Sequence, residues 1–213
     1  MLKLSEIFLS IQGESTYAGL PCIFIRLAGC NLRCKYCDTT YSYETKFEKY
    51  SEDILKEIQQ YKPIKLVEIT GGEPLIQSEI YDLLTILYDN EYEILLETNG
   101  TIDLEKVPDY VTKIVDVKCP GSGFEDSFLT ENLKHISLQK DEIKFVISDR
   151  QDYDWAKNFI KKHDLQKYLI LFSPVLEKLE SQKLAKWITE DKLPVRMQLQ
   201  LHKLIWGKDK RGV

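Results

Sequence analysis

Residues 22–39 read Cys22-Ile23-Phe24-Ile25-Arg26-Leu27-Ala28-Gly29-Cys30-Asn31-Leu32-Arg33-Cys34-Lys35-Tyr36-Cys37-Asp38-Thr39, a short β-branched run that passes into a loop with three thiols spaced C-x3-C-x2-C. The run reads as a strand, and five more like it follow at 66–69, 93–96, 114–117, 143–147 and 168–172. Helical spacing lies between several of them. Ile54, Leu55, Ile58 and Tyr61 follow Ser51 as a cap, and Ile80, Leu83, Leu84 and Leu87 follow Ser78. Trp155, Ala156, Phe159 and Ile160 form a third face, and Leu176, Leu179, Leu184, Trp187 and Ile188 a fourth. Strand alternating with helix predicts an α/β fold with mostly parallel strands and right-handed crossovers. A full eight-unit barrel takes about 250 residues, so 213 suit a partial barrel or an open sheet with ligands at the carboxyl ends of the strands. Residues 195–201 alternate polar and apolar and are expected as an edge strand. No repeat or long Gly/Ser linker divides the chain, so residues 1–213 are expected to form one domain.

Side chains that are 43% apolar and 30% charged are those of an ordinary globular protein. Lys and Arg number 29 against 34 Asp and Glu, a net charge of −5 that offers no bulk attraction to phosphate backbones or anionic membranes. Neither nucleic acid nor membrane is an expected partner. Met1-Leu2-Lys3-Leu4-Ser5-Glu6-Ile7-Phe8 carries an acid within its apolar stretch and does not read as a secretory signal, and no apolar run reaches spanning length. Five cysteines, three of them crowded into eight residues, suit metal ligation in a reducing compartment, so a cytoplasmic location is expected.

Three thiolates on one loop can bind three irons of a 4Fe-4S cluster and leave the fourth iron open to a small molecule. Structural zinc is the alternative, with Asp38 or a distant His as fourth ligand. Cys22, inside a strand, reads as a small buried hydrophobe, and Cys119 lies near the site. Thr70-Gly71-Gly72-Glu73-Pro74 follows the strand at 66–69. Its glycines admit a close ligand and Glu73 can balance an ammonium, although such a turn also serves as a plain βα connection. Arg26 suits a carboxylate because its guanidinium makes paired bonds; a strand arginine also pairs with neighbouring acids. His202 on an alternating strand reads equally as a surface residue, and Trp187 and Trp206 as core or dimer-interface aromatics.

The cysteine loop, with an aromatic before its last Cys, and the Gly-Gly-Glu-Pro segment together resemble radical S-adenosylmethionine enzymes. Further matches are Ile11-Gln12-Gly13-Glu14, Arg26, Cys37-Asp38-Thr39, Glu97-Thr98-Asn99-Gly100, Asp116-Val117-Lys118-Cys119-Pro120-Gly121 and Gln200-Leu201-His202-Lys203. They run from residue 11 to residue 203 and resemble the 7-carboxy-7-deazaguanine synthase family. That resemblance implies a truncated, modified radical-SAM partial (β/α) barrel and a homodimer. The implied reaction is magnesium-dependent ring contraction of 6-carboxy-5,6,7,8-tetrahydropterin to 7-carboxy-7-deazaguanine with loss of ammonia, in queuosine precursor biosynthesis. An electron from a donor such as flavodoxin or ferredoxin would cleave S-adenosylmethionine, and the resulting radical would take hydrogen from the substrate's carbon six and later return it.

By the same resemblance Cys30, Cys34 and Cys37 hold the cluster, and Thr39 contacts magnesium. Tyr36 lies beside the adenine, with Gly72 and Glu73 at the methionine part. Thr98, Asn99, Asp116, Val117, Lys118 and Ser173 line the cofactor. Ile11, Gln12, Gly13, Glu14, Arg26, Thr70 and His202 fall on the substrate side, with Glu14 able to accept from a pterin's amino and ring N–H groups. The chain departs from the family where Asp116-Val117-Lys118 replaces a common Ser-Pro-Lys, which puts side-chain contacts to the cofactor ribose in question, and where Ser15 replaces a glycine. The polar end, Asp209 to Val213, is expected to fray; an ordered tail would point to closure over the site. Two rivals remain open on the residues alone: a glycyl-radical activase that acts on a partner protein, and a non-catalytic zinc or iron–sulfur binding module.

Overall fold

The computed structural model describes residues 1–207 and 210–212. Strands Leu2–Ile11 (β1) and Pro21–Leu27 (β2) pair antiparallel, and β1 also takes Phe47–Lys49 (β3) on its other side. Helix Ser51–Ile58 (α1) leads to Leu66–Gly71 (β4), then Ile80–Asp89 (α2) to Glu93–Thr98 (β5). Thr112–Asp116 (β6) and Glu142–Ile147 (β7) follow across irregular connections, then Arg150–Lys162 (α3), Leu169–Pro174 (β8), Ser181–Glu190 (α4), Arg196–Met197 (β9) and Leu201–Trp206 (α5). The sheet runs β3-β1-β2-β4-β5-β6-β7-β8-β9, parallel from β2 onward and open between its two outer strands. It is a mixed α/β partial barrel.

Strand alternation divides each parallel strand between two faces. Ile23, Ile25, Val67, Ile69, Ile94, Leu96, Phe145 and Phe172 pack in one cluster with Ile54, Ile58, Leu83, Leu87, Ile160 and Leu184 of the helices. Each such fully buried aliphatic side chain contributes about 1.5–3 kcal/mol. The other face carries a smaller apolar cluster, Cys22, Phe24, Leu66, Leu95 and Ile114. One or two steps further along the same strands and the same face stand Arg26, Glu68, Thr70, Glu97 and Asp116, so polarity rises toward the carboxyl ends.

Several elements differ from the sequence reading. Ser51 opens α1 as its first residue, after Tyr50, and Glu79 precedes α2; neither cap position makes a side-chain bond. The fourth helix begins only at Ser181, because Lys178 and Leu179 both donate to the Val175 carbonyl and close a turn first. The edge strand expected at 195–201 shrinks to two residues. Its alternating Gln198 and Gln200 turn inward instead, their amides reaching Glu14 at 3.3 and 2.7 Å, and the chain passes into α5. His202 therefore stands on a helix rather than on a strand. Of the polar tail, Asp209 and Val213 lie outside the described residues, while the Arg211 guanidinium sits 4.2 Å from the centre of the Tyr41 ring. Among the described residues no helix is long and apolar enough to cross a membrane.

Candidate active site

The cysteine loop leaves β2 at the carboxyl end of the parallel strands. Gly29 donates to the Ser42 carbonyl at 2.8 Å and accepts from the Glu73 amide at 2.9 Å, so the loop is laced directly to the Gly-Gly-Glu segment. Gly72 is obligatory there, because a Cβ on it would strike the Gly29 carbonyl and come within 2.7 Å of the Cys30 Cβ. Cys30, Cys34 and Cys37 are half-buried free thiols, whereas Cys22 and Cys119 are buried. Burial pushes the Cys30 and Cys34 thiols above the ordinary value. Asp38 pairs with Lys203 at 2.5 Å, so the nearby fourth ligand that a zinc site would use is engaged elsewhere. Among the described residues no three His, Cys, Asp or Glu converge on a single-ion site; a cluster instead takes one thiolate per iron.

Glu73 is fully buried, and its carboxylate accepts from Leu75 N (3.0 Å), Thr98 Oγ1 (2.8 Å) and Asn99 N (2.7 Å). The group expected to balance an ammonium thus already ties the end of β4 to the end of β5. Asn99 continues the tie to the cysteine loop through Asn31 at 3.1 Å. Lys118 pairs with Asp116 Oδ2 at 2.7 Å, and Tyr36 donates to the Val146 carbonyl at 3.3 Å. Val117 is buried in the helix-side core, so only its backbone can face a cofactor. The Thr39 carbonyl accepts from Ser42, and its hydroxyl lies 3.8 Å from Cys37 Sγ without capping the turn.

On the other side of the site Gln12 is 2% exposed, donates to Glu68 and accepts from the Glu14 amide at 3.1 Å. Gly13 makes room for His202: a Cβ would collide with Nδ1 and lie 3.1 Å from the His202 amide. Burial lowers the His202 imidazole below the usual histidine value, which favours the neutral form. Arg26 gives its Nε to Glu6 at 2.7 Å, and Tyr41 donates to the same oxygen at 2.8 Å. The two terminal nitrogens of Arg26 make no hydrogen bond among the described residues. Thr70 donates to Glu97 at 3.0 Å. Ile11 ends β1 beside this group.

A family model, the Radical SAM superfamily, matches residues 24–126. The 7-carboxy-7-deazaguanine synthases of Koribacter versatilis and Chlorobaculum tepidum are 44% and 46% identical to the chain, covering all of it and 100% and 97% of themselves. The chain belongs to the 7-carboxy-7-deazaguanine synthase family. A crystal structure of QueE from Escherichia coli superposes with a TM-score of 0.74 at 26% identity, over 92% of this chain and 93% of that one.

Membership in the 7-carboxy-7-deazaguanine synthase family makes the chain a radical S-adenosylmethionine lyase with a 4Fe-4S cluster and S-adenosylmethionine. The residues fit both groups. Asp116 Oδ1 and Ser173 Oγ are buried with no hydrogen-bond partner among the described residues, which suits the hydroxyls of a ribose. The sequence alone assigns no site role to Glu68, Lys144 or Gln198, nor to Glu97 and Gln200, which it names only as parts of matched motifs. Lys144 is 4% exposed in its side chain and lies 3.1 Å from Glu14, in close contact with Glu97 and 3.9 Å from Asp116. A usable signal was present: parallel strands buried on both faces read as apolar runs, so a charge in mid-strand needs partners, as Lys144 finds in Glu14 and Glu97 and Lys113 in Asp141.

Proposed function

We propose that the chain contracts 6-carboxy-5,6,7,8-tetrahydropterin to 7-carboxy-7-deazaguanine with release of ammonia. The observation that carries this reading is the convergence, at one end of one sheet, of the cysteine loop with a buried set of matched acceptors and one open guanidinium. Bound cluster and S-adenosylmethionine supply one-electron hydrogen abstraction. The chain's own residues do the rest. Arg26, steadied through Nε by Glu6, offers its two terminal nitrogens to the substrate carboxylate. Glu14 and Glu97 accept from the N–H edge of the pterin, and neutral His202 lies beside the Gly13 backbone. Thr39 would lend one oxygen to a magnesium ion that keeps several waters. Cys30, Cys34 and Cys37 would each hold one iron. Asp116 Oδ1 and Ser173 Oγ would meet the cofactor ribose, with Thr98, Asn99 and Lys118 at the neighbouring strand ends.

The active form is read as a homodimer of single-domain chains working in the cytoplasm, with electrons from a flavodoxin- or ferredoxin-like donor. Leu204, Ile205 and Trp206 stand 58%, 52% and 46% exposed on α5, an apolar surface that a second copy would cover, whereas Trp187 packs against the core. Anaerobic reconstitution followed by product analysis, with and without magnesium, tests the reading. Conversion of the carboxylated tetrahydropterin that is stimulated by magnesium supports it. Modification of a protein glycine with no turnover of the pterin would overturn it.

A further inference from the structure

Lys144 rises from the middle of β7 between three carboxylates that arrive on three other segments: Glu14 after β1, Glu97 on β5 and Asp116 on β6. Glu14 and Glu97 belong to the pterin side, and Asp116 to the cofactor side. Three carboxylates so close repel one another, and losing the cation between them favours a proton on one of them. A protonated carboxyl turns a donor toward the pocket where a heterocycle's N–H edge requires acceptors.

We propose that Lys144 is a positioning residue for substrate recognition: its ammonium, bonded to both Glu14 and Glu97, holds the two carboxylates as a fixed pair of acceptors, and so selects a heterocycle with a donor-rich edge. The proposal rests on the pterin reading above for the identity of that heterocycle. Among the described residues, Lys144 is the cation that bonds directly to Glu14 and Glu97. Lys118 is committed to Asp116, and Arg26 on β2 to Glu6. Glu68 on β4 has no ion-pair partner among the described residues and takes only the Gln12 amide. His202 on α5 faces Glu14 and Asp38 as a group whose burial favours the neutral form. Burial alone would push the Glu97 carboxyl upward; Lys144, with smaller contributions from Lys118 and the Thr70 hydroxyl, reverses this and leaves it below the usual carboxylate value.

The test compares the reconstituted parent with Lys144→Gln and Lys144→Arg, reading kcat and KM for the carboxylated tetrahydropterin from about pH 5 to about pH 9. Removing a neighbouring opposite charge moves a carboxyl by about 1–3 pH units. In Lys144→Gln the acid limb of kcat/KM is therefore expected to move up by at least about one unit, with KM raised roughly tenfold or more and kcat affected less. Lys144→Arg is expected to keep the limb near its parental place, which a merely space-filling role would not require. A parental limb and KM in Lys144→Gln overturns the proposal. An infrared titration of the substrate-free parent against Glu97→Gln provides an arm that depends neither on the pterin nor on the folding of Lys144→Gln. A Glu97 carboxylate band that persists to about pH 5 or below supports the proposal, and its loss near neutral pH overturns it. Failure of the parent to convert any pterin would count against the substrate alone.

Discussion

Burial divides the five cysteines into two kinds. Cys22 and Cys119 are fully enclosed, and burial drives both thiols far above the ordinary value, so neither is available as a thiolate ligand. Cys30, Cys34 and Cys37 stand half-exposed on one loop. Alanine at any of these three is expected to abolish the iron–sulfur absorption and turnover together, while Cys22→Ala and Cys119→Ala keep the cluster and lose about 1 kcal/mol of stability. Full loading of any of the three loop variants, read by iron and sulfide content, would refute the ligand set. Arg26 is the second residue whose setting defines its test. Its Nε is occupied by Glu6, which orients the fork and leaves the terminal nitrogens open. Arg26→Ala should weaken pterin binding by on the order of 2–5 kcal/mol, and Arg26→Lys should restore only part of this, because the planar fork is gone. Titration of the pterin into each variant measures the loss, and parental affinity in Arg26→Ala would remove the residue from the carboxylate.

At the scale of elements, the site depends on α5 being held against the loop after β1. Leu201 donates to the Gly13 carbonyl at 3.0 Å, and Lys203 reaches back to Asp38 in the cysteine loop. A methyl group on Gly13 meets the His202 ring and crowds its amide, so Gly13→Ala must displace that side chain and strain the start of α5 at a cost of about 1–3 kcal/mol. The expected result is a raised KM for the pterin with cluster content intact, and a KM equal to the parent's would show that α5 does not close this side. Much of this architecture was legible in the sequence for a physical reason. The six β-branched runs are parallel or central strands whose helix-facing residues must be apolar, and each became a strand. The ten-residue β1 was not legible: Lys3, Ser5, Glu6 and Ser10 interrupt its apolar residues, and it survives by antiparallel pairing on both sides. The alternation at 195–201 misled because period two reports two environments, and here the second environment is the pocket at Glu14 rather than solvent. A lone lysine in Ile143-Lys144-Phe145 signals a charge that needs partners, but only the fold decides which acids supply them, because Glu14, Glu97 and Asp116 come from three distant segments.

The whole molecule carries a net charge of −5, yet its stability against pH is governed by a few buried carboxyls rather than by that total. Burial pushes the Glu73 carboxyl up to about 7, against the three hydrogen bonds that favour its charge. Glu68 is pushed up as well, by burial and then by the neighbouring Glu97. A carboxyl raised in the folded state keeps a proton that the unfolded chain has already shed. Its contribution is complete below the unfolded value of about 4.5 and is lost as pH rises through the folded one. Asp38 and Glu97, held below the usual range once Lys203 and Lys144 outweigh burial, act in the opposite direction, and their contribution is lost in acid. The cluster-free protein is therefore expected to reach its highest melting temperature on the mildly acidic side and to lose stability between about pH 5 and about pH 8, with Glu73 accounting for on the order of 3 kcal/mol of that loss. Glu73→Gln removes the titration while keeping one acceptor for Leu75 or Thr98. Its melting temperature should start lower and then change less over the same interval, so the slope rather than the level is the readout. Thermal unfolding followed by circular dichroism at a series of pH values measures both, and a variant that loses stability as steeply as the parent would show that Glu73 is ionised throughout.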